Sequence, residues 1–381
     1  MSGGGRGGRL RAMRLLDRYL LRELVTPLAF CLGGFLIFWI SFDLFDKLNI
    51  LQEHKLQAGD IIGYELLRTP ELLTVVLPVA LLLASLYALT QHARHHELTA
   101  MRAAGVSLWR LSAPYLAVGF LASVALFVVG EYLAPLGAQQ AEKILNGHAA
   151  GRTVALRPFE SVNFVTPSGQ KWAADFNERT HQLREVKIDW TKLDGSRVNL
   201  YAKGGGWTNR VWVFNGVQMN FFRPGDVFPA NRVFTNVMAL PEFAQTPEQI
   251  ISDLNINRQS SKAHVEQTQI PLAALLKYLE LHPQMPKEKK LWLHTQIQSR
   301  LASPWTCLVV VMIAIPFGAA SGRRNVFVGV AGSVFICFLY FVLLQVGLAM
   351  GAGGFVPPWL GAWLPNIFFA ATGLALTFKV R

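Results

Sequence analysis

The chain has 381 residues, 52% of them hydrophobic and only 16% charged, with a mean hydropathy of +0.31 and a formal net charge of +12. These values fit a membrane protein carrying one sizeable polar part. They exclude a soluble protein whose apolar runs are core helices, because six such runs would leave too little polar surface.

The chain opens on a Gly/Arg-rich tail, Ser2–Arg11, expected to be disordered. Apolar runs follow at Leu24–Phe45, Leu72–Leu89, Leu111–Val129, Leu301–Ala320, Val326–Met350 and Val356–Phe378. Each approaches the ~20 residues needed to cross ~30 Å of hydrocarbon. The first is too long for a signal peptide, and its exit at Asp43 and Asp46 lacks a small-residue cleavage site, so it reads as a retained helix. Arg6, Arg9, Arg11, Arg14, Arg18 and Arg22 precede it. Arg94, Arg102 and Arg110 follow the second run, Arg323 and Arg324 the fourth, and Lys379 and Arg381 close the chain. The opposite side has Lys47, Lys55 and Arg68 in its first loop and no Lys or Arg in Gly351–Pro358. By the positive-inside rule both termini are expected in the cytoplasm, and the +12 records topology rather than a nucleic-acid footprint.

Pro27, Pro78, Pro114, Pro304, Pro316 and Pro365 fall in or near five of the six runs, where a helix bundle tolerates their kinks. Gly119, Gly318, Gly329, Gly332, Gly347 and Gly351 are small enough for close helix approach. Cys31, Cys307 and Cys337 all lie in apolar runs, which argues against a disulfide framework or a metal cluster.

Between the third and fourth runs the period changes. Val186, Ile188 and Trp190 alternate with Lys187 and Asp189, and Val217, Met219 and Phe221 with Gln218 and Asn220, as in half-buried strands. Further strands are expected over Asn163–Thr166, Lys171–Ala174, Val198–Lys203 and Arg232–Ala239. Asn215–Gly216, between Val211–Phe214 and Val217–Phe221, carries a two-residue hairpin signal; Asp194–Gly195 and Pro167–Ser168–Gly169 mark other turns. Seven or so strands predict a sandwich, jelly roll or partly open barrel. Gly204–Gly205–Gly206 reads as a turn, since a phosphate loop would need a following Lys and helix. Pro271–Leu281 and Lys287–Arg300 return to a helical pattern as connectors. The expected organisation is residues 1–136 with three transmembrane helices, 137–299 as an all-β, jelly-roll-like insert, and 300–381 with three more.

No catalytic set emerges. His181 and His264 are isolated, and His92, His95, His96 and Glu97 lack the order of a metal motif, so no metal site is assigned. Asp43 and Asp46 share one helix face near the exit of the first run. Within Gln91–Arg110, His95–Ala104 has good helix formers and Gly105 stands as the stop; Leu98 and Met101 form an apolar face while Glu97 and Arg102 project polar groups. Such a helix serves either to dock an ATPase, as in ABC-type permeases, or simply to lie on the membrane. A membrane-anchored enzyme of envelope assembly, or a receptor with no transport role, would also carry an outside β domain. The first of these would need a polar constellation that the insert does not present.

Several segments resemble the LptF/LptG (YjgP/YjgQ) family of lipopolysaccharide-export permeases. They are Leu16–Glu23, Glu97–Gly105, Gly130–Pro135, Leu293–His294 with Arg300–Pro304, Pro316–Gly318 and Pro357–Pro365. Their order and spacing together cover nearly the whole chain. The resemblance implies an inner-membrane half-transporter with a periplasmic β-jelly roll, closer to LptG on the Gly130–Tyr132 and Pro357–Pro365 segments. It implies pairing with a second permease (LptF-like), an LptB-like ATPase dimer that uses the ATP, and an LptC-like bridge protein. No cofactor is expected in this chain, which has no Walker A pattern. Glu97, Leu98, Met101, Arg102 and Gly105 are then expected to couple to the ATPase. Basic residues late in the first helix of LptG members contact the phosphorylated head; Asp43 stands near one such position here and Lys47 follows a turn later, so Asp43, Asp46 and Lys47 are the substrate-path candidates.

Overall fold

A computed structural model of the chain describes residues 6–53, 56–149, 159–166, 169–192, 194–241, 243, 245–262, 270–319 and 326–379. Lys55, His264, Arg323, Arg324, Arg381 and the Pro167–Ser168 part of one expected turn lie outside them. The chain divides into two compact units, Met1–His148 with Leu291–Arg381, and Ala149–Lys290.

The first unit is helical. It comprises α1 (Arg6–Asp46), α2 (Leu48–Glu53), α3 (Ala58–Arg94), α4 (Glu97–Ala103), α5 (Leu108–Val128), a π-helical turn (Val129–Leu133) and α6 (Ala134–Ala149). It continues from α9 (Lys287–Ala302) through a 3₁₀ turn (Ser303–Trp305) into α10 (Thr306–Ala319), then α11 (Val326–Ala352) and α12 (Pro358–Lys379). Six helical segments among the described residues are long and apolar enough to cross a membrane: Leu15–Asp46, Ala58–Arg94, Leu108–Ala141, Lys287–Gly318, Val334–Ala352 and Pro358–Lys379. The first helix starts at Arg6, inside the tail expected to be disordered.

Of the most apolar windows of α3 and α9–α10, 61% and 67% of the residues are buried, whereas none is in that of α1, which makes α3 and α10 the centre of this unit; α1 joins it through buried Leu20 and Leu24. Leu81 and Leu82 of α3 pack there with Val310, Val311 and Ala314 of α10. Buried polar groups join the later helices. Tyr340 donates to Asn366 Oδ1 at 2.9 Å and meets Thr306 Oγ1 at 2.6 Å, while Asn366 Nδ2 donates to the Ala302 carbonyl at 2.8 Å. In hydrocarbon such groups have no water to turn to, so satisfying one another fixes which helices pair.

The second unit holds one antiparallel sheet, with β1 (Glu160–Val165), β2 (Lys171–Asn177), β3 (Gln182–Thr191), β4 (Arg197–Thr208), β5 (Val211–Phe222) and β6 (Asn231–Leu240) in consecutive order. Against the expectation of seven or so strands, six are found among the described residues, because Val211–Phe214 and Val217–Phe221 are one strand. Asn215–Gly216 is not a hairpin: Asn215 pairs with Gly204 and Val217 with Ala202, in unbroken register. The turn falls instead at Asn209–Arg210, both left-handed (φ 51 and 63), the backbone of a two-residue hairpin. The described strands follow hairpin by hairpin as a meander; the long crossings of a jelly roll are not among them.

Gly216 (φ 63) has a different role. It lies opposite Lys203, which lies opposite Glu185 (φ 47), where β3 slips one residue against β2. Across this row the buried face changes parity. Trp212 and Phe214 point inward before it on β5, Val217 and Met219 after it; Leu183 precedes it on β3, Val186 and Ile188 follow. Such a bulge re-aims the side chains while the ladder continues. The enclosed core is aromatic, with Trp172 in ring contact with Trp212, Phe214 and Phe243, and Phe214 with Phe243.

α7 (Pro247–Lys262) adds Ile250 and Leu254 to this core. Thr246 and Gln249 exchange hydrogen bonds in a capping box at its start, and Gln249 Nε2 donates to the Leu281 carbonyl of α8 (Leu272–Leu281) at 2.7 Å. Asp253 of α7 accepts from the Tyr278 hydroxyl at 2.7 Å and faces His282 at 3.4 Å and Lys289 at 3.5 Å. Burial pushes its carboxyl up, but these partners outweigh it and hold it below the ordinary value. Ionised Asp253 therefore stabilises the α7–α8 pair above the ordinary carboxylate pKa of about 3.9, and the contribution is lost as pH falls from there through the lower folded value. Protection of the α7 amides against exchange, taken relative to the unstructured rate at each pH and followed from pH 5 downward (a range set by about one unit above that pKa), should fall in the parent chain and change less in Asp253→Asn. Identical acid profiles for the two would show that Asp253 does not set the dependence.

Candidate functional site

Two polar clusters sit near opposite ends of α1. At the first, α3 ends at His95 and His96 takes a left-handed conformation (φ 59), which breaks the helix and starts α4 at Glu97 rather than His95. α4 closes on Gly105 (φ 86): the Gly105 amide donates to the Arg102 carbonyl at 3.0 Å and the Val106 amide to the Met101 carbonyl at 3.1 Å. This is a Schellman ending, which needs a residue without the Cβ penalty at the left-handed position. Ser107 then caps α5, accepting from the Arg110 amide.

The helix so bounded is held by its apolar side. Leu98 is buried in the core shared with α3 and α10, and Met101 packs against that core. Arg102 lies on the exposed side with Thr99 and Ala100. Glu97 turns inward: its carboxylate accepts from the Tyr19 hydroxyl of α1 at 3.0 and 3.3 Å and meets His92 Nδ1 of α3 at 2.6 Å. A carboxylate only accepts, so His92 carries the proton on Nδ1. Partial burial raises the Glu97 carboxyl, yet the bonds from His92 and Tyr19 prevail and it lies below its ordinary value. Next to it, Arg110 of α5 donates to Asp17 of α1 at 2.6 Å. The histidines flagged in the sequence part company here, since His95 and His96 are exposed.

At the other end of α1 the substrate-path candidates separate. Asp46 is exposed, whereas Lys47 is only 7% exposed. Asp43 accepts from Arg68 of α3 at 2.7 Å and pairs with Lys47 at 3.3 Å. Lys47 also donates to the Tyr64 hydroxyl at 3.2 Å, and both cations lie over the Tyr64 ring. Arg68 reaches Glu71 at 3.8 Å, and Glu65 buries a second carboxyl beside Asp43. In the sequence Lys47 and Arg68 read as loop charges. The structure instead uses both to neutralise Asp43 and to join α1 to α3.

Sequence reading missed Tyr19, Tyr64 and the inward role of Arg68. Tyr19 was visible only as part of the Leu16–Glu23 segment, and nothing in spacing links it to Glu97, 78 residues away. A family model described as lipopolysaccharide export system permease LptF/LptG matches residues 18–379. No curated protein matches the chain.

Proposed function

The chain belongs to the LptF/LptG family of lipopolysaccharide export system permeases, and on that footing we propose that it is the LptG-like half of an exporter that lifts lipopolysaccharide out of the bacterial inner membrane. In this reading both termini are cytoplasmic and the β unit is periplasmic, as the basic residues of the loops favour. The partners are an LptF-like permease, an LptB-like ATPase dimer and an LptC-like bridge protein that receives the lipid.

The observation that carries the reading is α4. It is a short helix, stopped sharply at both ends and anchored through Leu98, that leaves Arg102 outward between two spans. Exposing acyl chains to water costs about 0.8 kcal/mol per methylene. A lipid with many chains therefore needs both an external energy source and apolar surface along its route. α4 offers the attachment for the first. For the second, α1 and α11 carry exposed Phe38, Phe42, Phe335 and Phe338, which suit lipid or the second permease. The edge strand β6 exposes Phe234 and Val237, which suits transfer to another β protein.

Glu97→Ala should lower recovery of the ATPase with the purified chain, or lower coupled hydrolysis, because it removes the side-chain bonds that orient α4 against Tyr19 of α1 and His92 of α3. Unchanged assembly and unchanged lipid export would remove the docking assignment.

A further inference from the structure

α4 is tied by side chains to α1 as well as to α3, from which it follows in the chain. The Tyr19 hydroxyl bridges both oxygens of Glu97, and the Tyr19 ring tilts against His92 at a centroid distance of 5.6 Å. Two residues earlier on α1, Asp17 holds Arg110, just beyond the α4–α5 turn. α1 then continues as one helix to Asp43, where Arg68 and Lys47 secure it to α3. Twenty-four residues of helix separate Tyr19 from Asp43, about 36 Å at 1.5 Å per residue. Between these polar attachments Leu20 and Leu24 are buried in the helical core close to Tyr19, and none of residues 25–46 is fully buried within the chain. A continuous helix tied by Tyr19 to α4 and by Asp43 to α3 carries a displacement of one attachment toward the other.

We infer that Tyr19 is a positioning residue that transmits displacement of α4 to α1, and so couples ATP hydrolysis to movement of the helix whose far end carries Asp43 and Lys47. This rests on α4 being the ATPase docking element. The Tyr19 hydroxyl acts through Glu97, to which it donates. Tyr19 is 41% exposed, so removing its hydroxyl strands no buried group of its own. Glu97 keeps His92 in that case, and α4 keeps its Leu98 anchor.

The test uses the chain assembled with its partner permease and ATPase in vesicles containing lipopolysaccharide, with ATP hydrolysed and lipid released measured together. In Tyr19→Phe, lipid released per ATP should fall roughly fivefold or more, the low end of measured coupling between sites, while the ATPase still co-purifies. A mere loss of folded protein would lower both quantities and leave their ratio unchanged. Because the hydroxyl acts through the carboxylate, Tyr19→Phe placed in Glu97→Met, which has no oxygen to accept from it, should lower the ratio no further. An unchanged ratio in Tyr19→Phe, or fully additive losses in the double variant, overturns the inference. Loss of the ATPase from Tyr19→Phe also overturns it, because the hydroxyl would then serve docking rather than transmission. Failure of the parent chain to retain any ATPase would instead strike the docking assignment itself.

Discussion

Asp43→Ala is expected to destabilise the α1–α3 junction by roughly 3–5 kcal/mol, the cost of leaving a buried ion pair with one sign removed. The side chains involved are 7%, 8% and 13% exposed for Arg68, Lys47 and Asp43, so water cannot replace the lost carboxylate. Lys47 and Arg68 would lose the carboxylate they share, leaving the more distant Glu71, 3.8 Å from Arg68, as a weaker substitute. Arg68→Met should cost less, because Asp43 keeps Lys47 at 3.3 Å and the methionine refills the apolar part of the arginine stem. Unfolding of detergent-solubilised protein, followed by denaturant titration, ranks the two. Equal losses, or a neutral Asp43→Ala, would mean that the cluster contributes little to holding α1.

Gly361→Val should be nearly as damaging, for a steric reason. A Cβ at Gly361 would lie 2.5 Å from the Gly347 carbonyl oxygen, and a Cβ on Gly347 would collide with the Gly361 carbonyl in turn. Both obstacles are backbone, so no rotamer relieves them, and α11 and α12 must separate. Overpacking of this kind costs about 1–3 kcal/mol before any secondary loss. The secondary loss arises because Asn366 of α12 and Tyr340 of α11 hydrogen-bond across the same helix pair. Pulling these apart leaves buried polar groups unsatisfied, at about 1–3 kcal/mol each. Membrane accumulation and thermal midpoint in detergent should both fall for Gly361→Val. Gly59→Ala, where an added methyl meets nothing within 4 Å, serves as the control and should be neutral or slightly stabilising. A Gly361→Val protein as stable as this control would show that the close approach is not required.

The six spans were legible because a membrane helix is written in one contiguous apolar run, and lipid admits few alternatives for its backbone. The structure lengthens most of those helices, since apolar length marks the hydrocarbon and not the end of hydrogen bonding. The strands were legible for a similar local reason, their alternation of apolar and polar residues. The hairpin was not. Asn215–Gly216 has the residues of a tight turn, yet the chain uses its left-handed glycine to switch the inward face within β5 and turns at Asn209–Arg210. Local preference permits either choice. Matching the buried faces of β4 and β5 along their whole length selects between them.

The functional clusters divide along the same line. Alone, the sequence determined the six spans, the strand-rich insert, the presence of a short helix ahead of its Gly105 stop (though not its start at Glu97) and, through those segments, the resemblance to a permease family. These are properties of consecutive residues. Only the tertiary structure decided that Glu97 faces Tyr19 and His92, and that Lys47 and Arg68 are spent on Asp43. Charges far apart in the chain choose partners according to which helices pack together, and that packing is set by the whole apolar core at once.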